Sequence, residues 1–600
     1  MKRSGDTITS LERFAGRVLG SVVLLAGCYG SGATINTTGA GGSTGSGTGG
    51  ATSPGTGGAA SPGTGGATTT GAGGGTGTGG IGSGGGPGLG TGGTTTPATG
   101  GVTGGGTGGA PMPGTGGTTV SGTGGATDSD WGTPVAGGPS GSGVSATVTV
   151  HPATAVGAIG PGFAGFSYEK THITNDSLNS TNTDLIALYK LVGSPVMRLG
   201  ADDVDNCNWV GTGAGPSKPS GQPFTRSITT GMVDELCSFL TATGTQVIYG
   251  VNFKADNVTA SAAEAAYVMG KCGASVSGFE IGNEINRYGS WASLKSEWES
   301  FATAIVATPS AKLVGPVAGG GDALSLSTPF AADESAKFGD KLVLLTQHYY
   351  AGTANSTTAT VARLQTPDPD PPTSQDGLVG TDSTMNTAAV TNKIPNGYRL
   401  GECNTFAGHG QMGVSDTLIA GLWGLDLMFV TAQQGGSGVN LHGGETGMDG
   451  SRPFYYEPIM ESGGVVVQVQ PIYYSMLLLK LAGQGTVVST DVSTSNPNFT
   501  AYTLKAGGFT SVILDNKNAT SAVSATVDLG AAVKAASAIY LQGTPAGSLS
   551  AAASAVTLAG ASVTPSGTWN RSPPYTQPTS GNTVSVYVPP ASAALVHVLQ

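Results

Sequence analysis

The chain has 600 residues, of which 104 are glycine and only 61 are charged, 25 basic against 36 acidic. One charged residue in ten, against roughly one in four for an ordinary globular domain, and a net charge of −11 exclude a basic nucleic-acid binder. Because 45 of the glycines fall between positions 31 and 140, a single uniform fold is excluded too.

The chain opens with Lys2, Arg3, Arg13 and Arg17, followed by an apolar run over residues 18–26. That run is shorter than the roughly 20 residues a membrane span needs and reads as a secretion signal over residues 1–27. It ends in Leu25-Ala26-Gly27-Cys28, which resembles a bacterial lipobox. The resemblance implies cleavage before Cys28 and lipid attachment to its thiol, hence an exported protein of the bacterial cell envelope, lipid-anchored at the outer membrane or cell surface. From Val18 to Thr127 there is no Asp, Glu, Lys or Arg. The Gly-Thr-Gly-Gly-Ala repeats lack the glycine at every third position that collagen requires. Too few large apolar side chains are present to offset the entropy of ordering the segment. Residues 28–144 are therefore expected to form a disordered Gly/Thr-rich tether, with a root-mean-square span of about 60 Å.

From about Ser145 the composition changes. Residues 145–157 read as a strand joining a later sheet. Over residues 158–480 short apolar runs at 163–168, 196–199, 247–251, 278–281, 312–317, 342–347, 398–401 and 438–441 alternate with segments of helical spacing at 183–191, 232–241, 261–269 and 291–307. The clearest helix is predicted over 416–433, capped by Ser415, with Leu418, Leu422, Leu425, Met428 and Phe429 on one stripe. Eight strands with intervening helices predict an α/β fold of the (β/α)8, or TIM, barrel type. Residues 481–600 carry short Val/Thr/Ala-rich runs broken by Gly, Pro, Asn and Ser, the pattern of a C-terminal antiparallel β-sandwich. With Cys28 lipidated, Cys207, Cys237, Cys272 and Cys403 remain; three pairings are open, one or two disulfides are expected, and the absence of CxxC spacing argues against structural zinc.

In a barrel of this kind functional groups gather at the C-terminal ends of the strands. The predicted strands end in Tyr168-Glu169, Arg198, Asn252, Asn283-Glu284, His348-Tyr349, Glu402 and His442. Seven of eight ends thus carry a side chain able to hydrogen-bond or titrate, more than scattered surface polarity accounts for. Glu284 and Glu402, ending strands four and seven, stand out. Two carboxylates aimed into one cleft can divide glycoside cleavage, one protonating the leaving oxygen while the other attacks the anomeric carbon.

Asn-Glu ending strand four with Glu ending strand seven resembles clan A of the retaining glycoside hydrolases. The strings Gly165-Phe166-Ser167-Tyr168-Glu169, Phe279-Glu280-Ile281-Gly282-Asn283-Glu284, Gln347-His348-Tyr349-Tyr350, Arg399-Leu400-Gly401-Glu402-Cys403-Asn404, Ala420-Gly421-Leu422-Trp423-Gly424-Leu425-Asp426 and Val439-Asn440-Leu441-His442-Gly443-Gly444 are similar to glycoside hydrolase family 79, which holds β-glucuronidases and heparanases. The resemblance covers about residues 145–600. It implies Glu284 as general acid and base, Glu402 as nucleophile, Asn283 on the sugar 2-hydroxyl, Glu169 and His442 on the substrate, and Tyr349 leaning toward the nucleophile. It also implies a Glu284 protonated at rest, its pKa raised relative to that of Glu402, and neither metal nor organic cofactor.

Tyr456-Glu457-Pro458 matches a Tyr-x-Pro of the family's bacterial members whose hydroxyl meets the uronate carboxylate. The preceding loop looks longer than the family's and brings Arg452, able to clamp a carboxylate in bidentate fashion, but also Glu445, which would repel one. Gly200-Ala201-Asp202-Asp203 departs from the amide-rich stretch the family leads one to expect. Without its leader the chain has a net charge of −13 and scattered basic residues, which disfavours a long sulfated glycan and nucleic acid. The expected partner is a glycoside or polysaccharide with terminal uronic acid, cleaved by an exo-acting β-glucuronidase. The alternatives are a clan A glycosidase for a neutral sugar and a non-catalytic glycan-binding lipoprotein.

Overall fold

The computed structural model describes residues 131–213, 226–320, 323–368, 370, 377–444 and 455–600. The expected leader, the Cys28 anchor, the tether up to residue 130, and Glu445 and Arg452 lie outside the described residues.

Eight parallel strands close into a barrel: Ala164–Glu169, Val196–Gly200, Val247–Val251, Val276–Ile281, Leu313–Ala318, Leu342–Tyr350, Tyr398–Asn404 and Val439–Gly443. Helices cover the outside and side chains fill the inside, so the strands are buried on both faces and read as near-continuous apolar runs. The helices Thr230–Thr243 and Val258–Cys272, on either side of the third strand, are joined by a Cys237–Cys272 disulfide, while Cys207 and Cys403 are buried thiols.

The helix predicted over 416–433 begins later, at Leu418, with Thr417 at its N-cap. Ser415 does not cap it; its hydroxyl pairs with Thr405 and accepts the Gln411 N–H. Nor does the helix show one apolar stripe: it is buried from Leu418 through Ala432, because it lies between the barrel and a second sheet. Its Asp426 accepts from the hydroxyls of Tyr502 (2.7 Å) and Thr500 (2.8 Å) and pairs with Lys517 at 2.6 Å, all four groups belonging to the seam between the two layers.

That second sheet has eleven strands, ten on one hydrogen-bonded path and the short Tyr575–Thr576 pairing beside it, and it curls so that its halves face each other across a Val/Ala-rich core. The strand Val144–Ile159 joins it between Gly485–Thr494, antiparallel, and Val523–Asp528, parallel. The chain's two described ends therefore meet in this layer. Packed structure starts earlier than the expected boundary at residue 145. Trp131 is only 7% exposed, its indole N–H donates to Ser537 at 2.8 Å, and its ring stacks on His597 at 3.5 Å. Two small pairs escaped the sequence reading, Cys207–Gly211 with Arg226–Thr229 and the hairpin Ile459–Ser462 with Val465–Val469. Both lie in the loops after strands two and eight, on the face where the polar strand ends gather. Among the described residues no helix is long and apolar enough to cross a membrane.

Candidate functional site

Strand register builds the site. Ser167 pairs with Arg198 on one side and His442 on the other, and Glu402 pairs with His348, so these side chains fall in one inward-facing layer at the C-terminal end of the barrel. Arg198 is wholly buried. Its Nε donates to Glu280 (2.7 Å), one terminal nitrogen to Glu402 Oε2 (2.8 Å) and Ser167 (3.2 Å), and the other to the Asn283 carbonyl oxygen (2.8 Å). The Tyr350 hydroxyl donates to Glu402 Oε1 at 2.8 Å. Burial by itself would raise the Glu402 pKa; the charges of His348, His442 and Arg198 and the Tyr350 hydrogen bond outweigh it and hold the carboxyl well below the usual range. Glu402 is an ionised carboxylate with both oxygens oriented, which is what attack on an electrophilic carbon needs.

Glu284 reaches the same cleft from the turn after strand four. Gly282 takes a φ of +78°, and a Cβ there would strike Phe253, while Glu284 itself adopts a φ of 45°, a left-handed conformation uncommon for a residue with a side chain. One oxygen of each carboxylate and a ring nitrogen of His348 lie within 4.8 Å of one another. His348 Nδ1 is 3.1 Å from Glu284 Oε1 and 3.8 Å from Glu402 Oε1. Arg287, on the 3-10 turn Ile285–Arg287, pairs with Glu284 Oε2 and, at 3.0 Å, with Asp202 Oδ1. The donor set of Glu284, His348 and Glu402 could face a cation in geometry alone, but the guanidinium groups of Arg198 and Arg287 already neutralise both carboxylates and oppose one.

The Glu284 pKa differs from the expectation of a carboxyl protonated at rest. Burial raises it, but the His348 hydrogen bond and charge together with Arg287 bring it below the ordinary value. Free of substrate, Glu284 is ionised like Glu402.

Glu169 accepts the Asp203 N–H at 2.8 Å and lies 3.6 Å from His442 Nε2; burial, opposed by His442, pushes its pKa up to about 7. Burial works against charge on His442, but Glu402 and Glu169 outweigh it and raise its pKa. Asn283 is engaged at both ends, its carbonyl oxygen by Arg198 and its amide nitrogen by Asp202 at 2.9 Å. Tyr456 is buried with its ring 6.0 Å from those of both His442 and Tyr350. The structure thus brings together Glu169, Asn283, Glu284, Glu402, His442 and Tyr456.

Tyr349 does not join them. Side chains alternate along a strand, so His348 and Tyr350 face the cleft, whereas Tyr349 turns outward to the neighbourhood of Asp368, Asp370 and Arg363. Its hydroxyl has no hydrogen-bond partner among the described residues. The residue on Glu402 is Tyr350. Arg287 carries no signal in the sequence, and Arg198 and Asp202 figure there only as a strand end and a departure from the family's pattern. A lone Arg ending an apolar strand was the one available signal for Arg198.

No family model matches the chain, and no curated protein matches it. Among solved structures it is similar to a 4-O-α-L-rhamnosyl-β-D-glucuronidase from Fusarium oxysporum 12S in complex with Rha-GlcA, at 18% identity and a TM-score of 0.62, over 75% of this chain and 99% of that one. It is also similar to the GH51 arabinofuranosidase of Xanthomonas axonopodis pv. citri (16% identity, TM-score 0.53, 76% of this chain and 100% of that one). A third likeness is a Paenibacillus polymyxa xyloglucanase of glycoside hydrolase family 44 (12%, 0.52, 76% and 99%). At these identities the likeness shows a shared fold, a barrel with its accompanying sheet, in proteins named as glycosidases.

Proposed function

We propose that the chain is a retaining glycoside hydrolase, an exo-acting β-glucuronidase of the family 79 type, working through Glu402 as nucleophile and Glu284 as acid and base. The observation that carries the reading is the meeting of the two carboxylates, within 4.8 Å oxygen to oxygen, with Arg198 and Tyr350 holding one of them ionised. Double displacement needs carboxyl groups about 5 to 5.5 Å apart and direct displacement about 6.5 to 9.5 Å, to admit a water between them; so close an approach of the nearest oxygens supports the former. Glu284 takes up a proton from solvent as the glycoside binds, and Glu402 attacks the anomeric carbon as Glu284 passes that proton to the leaving oxygen. Glu284 then takes a proton from the water that releases the sugar from Glu402.

For the sugar, His442 with its raised pKa beside Tyr456 supports a uronic acid, and the Fusarium protein is named a glucuronidase. A neutral sugar has one observation in its favour: Glu169, Asp202 and Asp203 crowd the same cleft and would repel a carboxylate. Full-length protein assayed on p-nitrophenyl β-glucuronide beside the β-xyloside, β-glucoside, α-arabinofuranoside and β-galacturonide separates the two. Cleavage of the glucuronide is expected; cleavage of a neutral glycoside alone replaces the first reading with the second, and no hydrolysis of any favours a glycan-binding role.

Export with a lipid on Cys28 belongs to the same proposal, supported by the Leu25-Ala26-Gly27-Cys28 string. A Cys28→Ala form that stayed membrane-bound would contradict it.

A further inference from the structure

An acid that must protonate the leaving oxygen needs a free oxygen facing it, and in this site both Glu284 oxygens are taken. Oε1 meets His348 Nδ1 at 3.1 Å and Oε2 meets Arg287. One contact has to yield when a glycoside enters. The His348 side chain is 1% exposed, held on strand six between the two carboxylates, and has no room to withdraw. The Arg287 side chain is 50% exposed at the cleft mouth, and has a second anchor in Asp202 Oδ1 at 3.0 Å, whose carboxylate is itself largely solvated. Its backbone stays put, since the Arg287 N–H donates to the Glu284 carbonyl and the neighbouring Asn286 exchanges two hydrogen bonds with the Gly319 main chain. Only the guanidinium has freedom to swing.

We infer that Arg287 is a displaceable guard on Glu284: it occupies Oε2 in the free protein, gives that oxygen up to the leaving-group sugar while remaining on Asp202, and returns once the leaving group has gone. This rests on the reading of Glu284 as acid and base. The movement follows the proton. With Arg287 withdrawn as the glycoside enters, Glu284 loses a cation, takes up a proton from solvent before the leaving group shuts water out, and carries it to the departing oxygen. With Arg287 back, Glu284 favours the carboxylate form that draws a proton from the incoming water. Arg287 is a positioning residue, acting on the sugar through Glu284. The charged and titratable groups facing Glu284 are His348 from strand six, Glu402 from strand seven, Asp202 from the loop after strand two, and Arg287 from its own turn. Of these, Arg287 combines direct contact with freedom to leave.

The test is the titration of Glu284 in the full-length protein carrying 13C at the glutamate carboxyls, its resonance assigned by its loss in Glu284→Gln. Replacing Arg287 by Gln is expected to raise the Glu284 midpoint by about one pH unit, and to move the alkaline limb of kcat/KM upward by the same amount; Arg287→Lys, which keeps a cation on the turn, should hold both nearer their original values. An unchanged Glu284 midpoint in Arg287→Gln overturns the inference. Failure of the underlying reading would look different: Glu284→Gln would keep full turnover on a glycoside with a poor leaving group, whatever Arg287→Gln did to the titration.

Discussion

Arg198→Met is the most informative single perturbation, because it removes one cation from between two carboxylates that have little water to turn to. Arg198 donates to Glu280, which is fully buried, to Glu402, which is 7% exposed, and to Asn283 and Ser167. Methionine fills much of the same volume but takes away the cation that Glu280 and Glu402 share, leaving Glu402 to His348 and His442. Breaking a buried ion pair by deleting one partner costs about 3 to 5 kcal/mol. A per-residue unfolding entropy of roughly 2.1 cal/mol/K makes this about 1 °C per kcal/mol for a unit of some 450 residues, so the melting temperature should fall by about 3 to 5 °C at pH 7. The pH dependence follows from the sign of each shift. In the parent, the Glu402 pKa is depressed on folding, so its contribution to stability is present above the unfolded value near 4.3 and is lost as pH falls. In the variant, Glu402 loses one of the charges that hold its pKa down and takes up its proton at a higher pH than in the parent, so the penalty is full at neutral pH and fades as pH falls. The gap in melting temperature should therefore narrow toward pH 4. The acid limb of kcat/KM should also move upward, with at least about a 100-fold loss at its optimum, or about 2.7 kcal/mol of transition-state stabilisation. Calorimetry from pH 4 to 8 beside the rate profile measures all of this. A variant melting within 1 °C of the parent at pH 7, with an unmoved acid limb, refutes the assignment of Arg198 as the counter-ion of Glu402.

Tyr350→Phe removes a hydrogen bond to a charged group, worth about 1.5 to 3 kcal/mol, and should lower kcat by about 10- to 100-fold, while Tyr349→Phe should stay within about threefold of the parent; equal losses would show that both tyrosines serve the site. Gly319→Ala places a methyl carbon 2.0 Å from Glu284 Oε1 on a backbone that Asn286 grips from both sides, its amide nitrogen 2.8 Å from the Gly319 carbonyl and the Gly319 N–H 3.1 Å from its carbonyl oxygen. Glu284 has to give way, so activity should fall more than about tenfold, since misplacement of a reacting group by an ångström is costly; a fully active Gly319→Ala would show that the Glu284 position is not critical.

The barrel could be read from the sequence because a strand covered on both faces must be apolar throughout, and its eight runs are short and bounded, seven of them ending at a polar residue. The two glutamates could be read because both end such runs. What escaped was set by alternation and by distance along the chain. Tyr349 and Tyr350 are chemically the same, and only the inward phase of strand six, fixed by the pairing of His348 with Glu402, decides between them. The guanidinium on Glu284 comes from three residues downstream, but its second anchor, Asp202, lies 85 positions earlier. The helix from Leu418 seemed to need one apolar face; the sheet packed on its other side gave Asp426 a buried partner in Lys517, which no local pattern announces. Trp131 follows a glycine-rich stretch with no local pattern around it and finds its pocket 406 residues away on Ser537.

The central claim is that Glu402 bonds to the sugar while Glu284 moves the proton. The direct measurement is covalent trapping: full-length protein incubated with the 2-deoxy-2-fluoro glycosyl fluoride of whichever sugar it cleaves, then digested and mapped by mass spectrometry. One sugar equivalent on Glu402, absent in Glu402→Gln and still formed in Glu284→Gln, is the predicted result. Label on any other residue, or no label together with a first-formed product of inverted anomeric configuration, contradicts it.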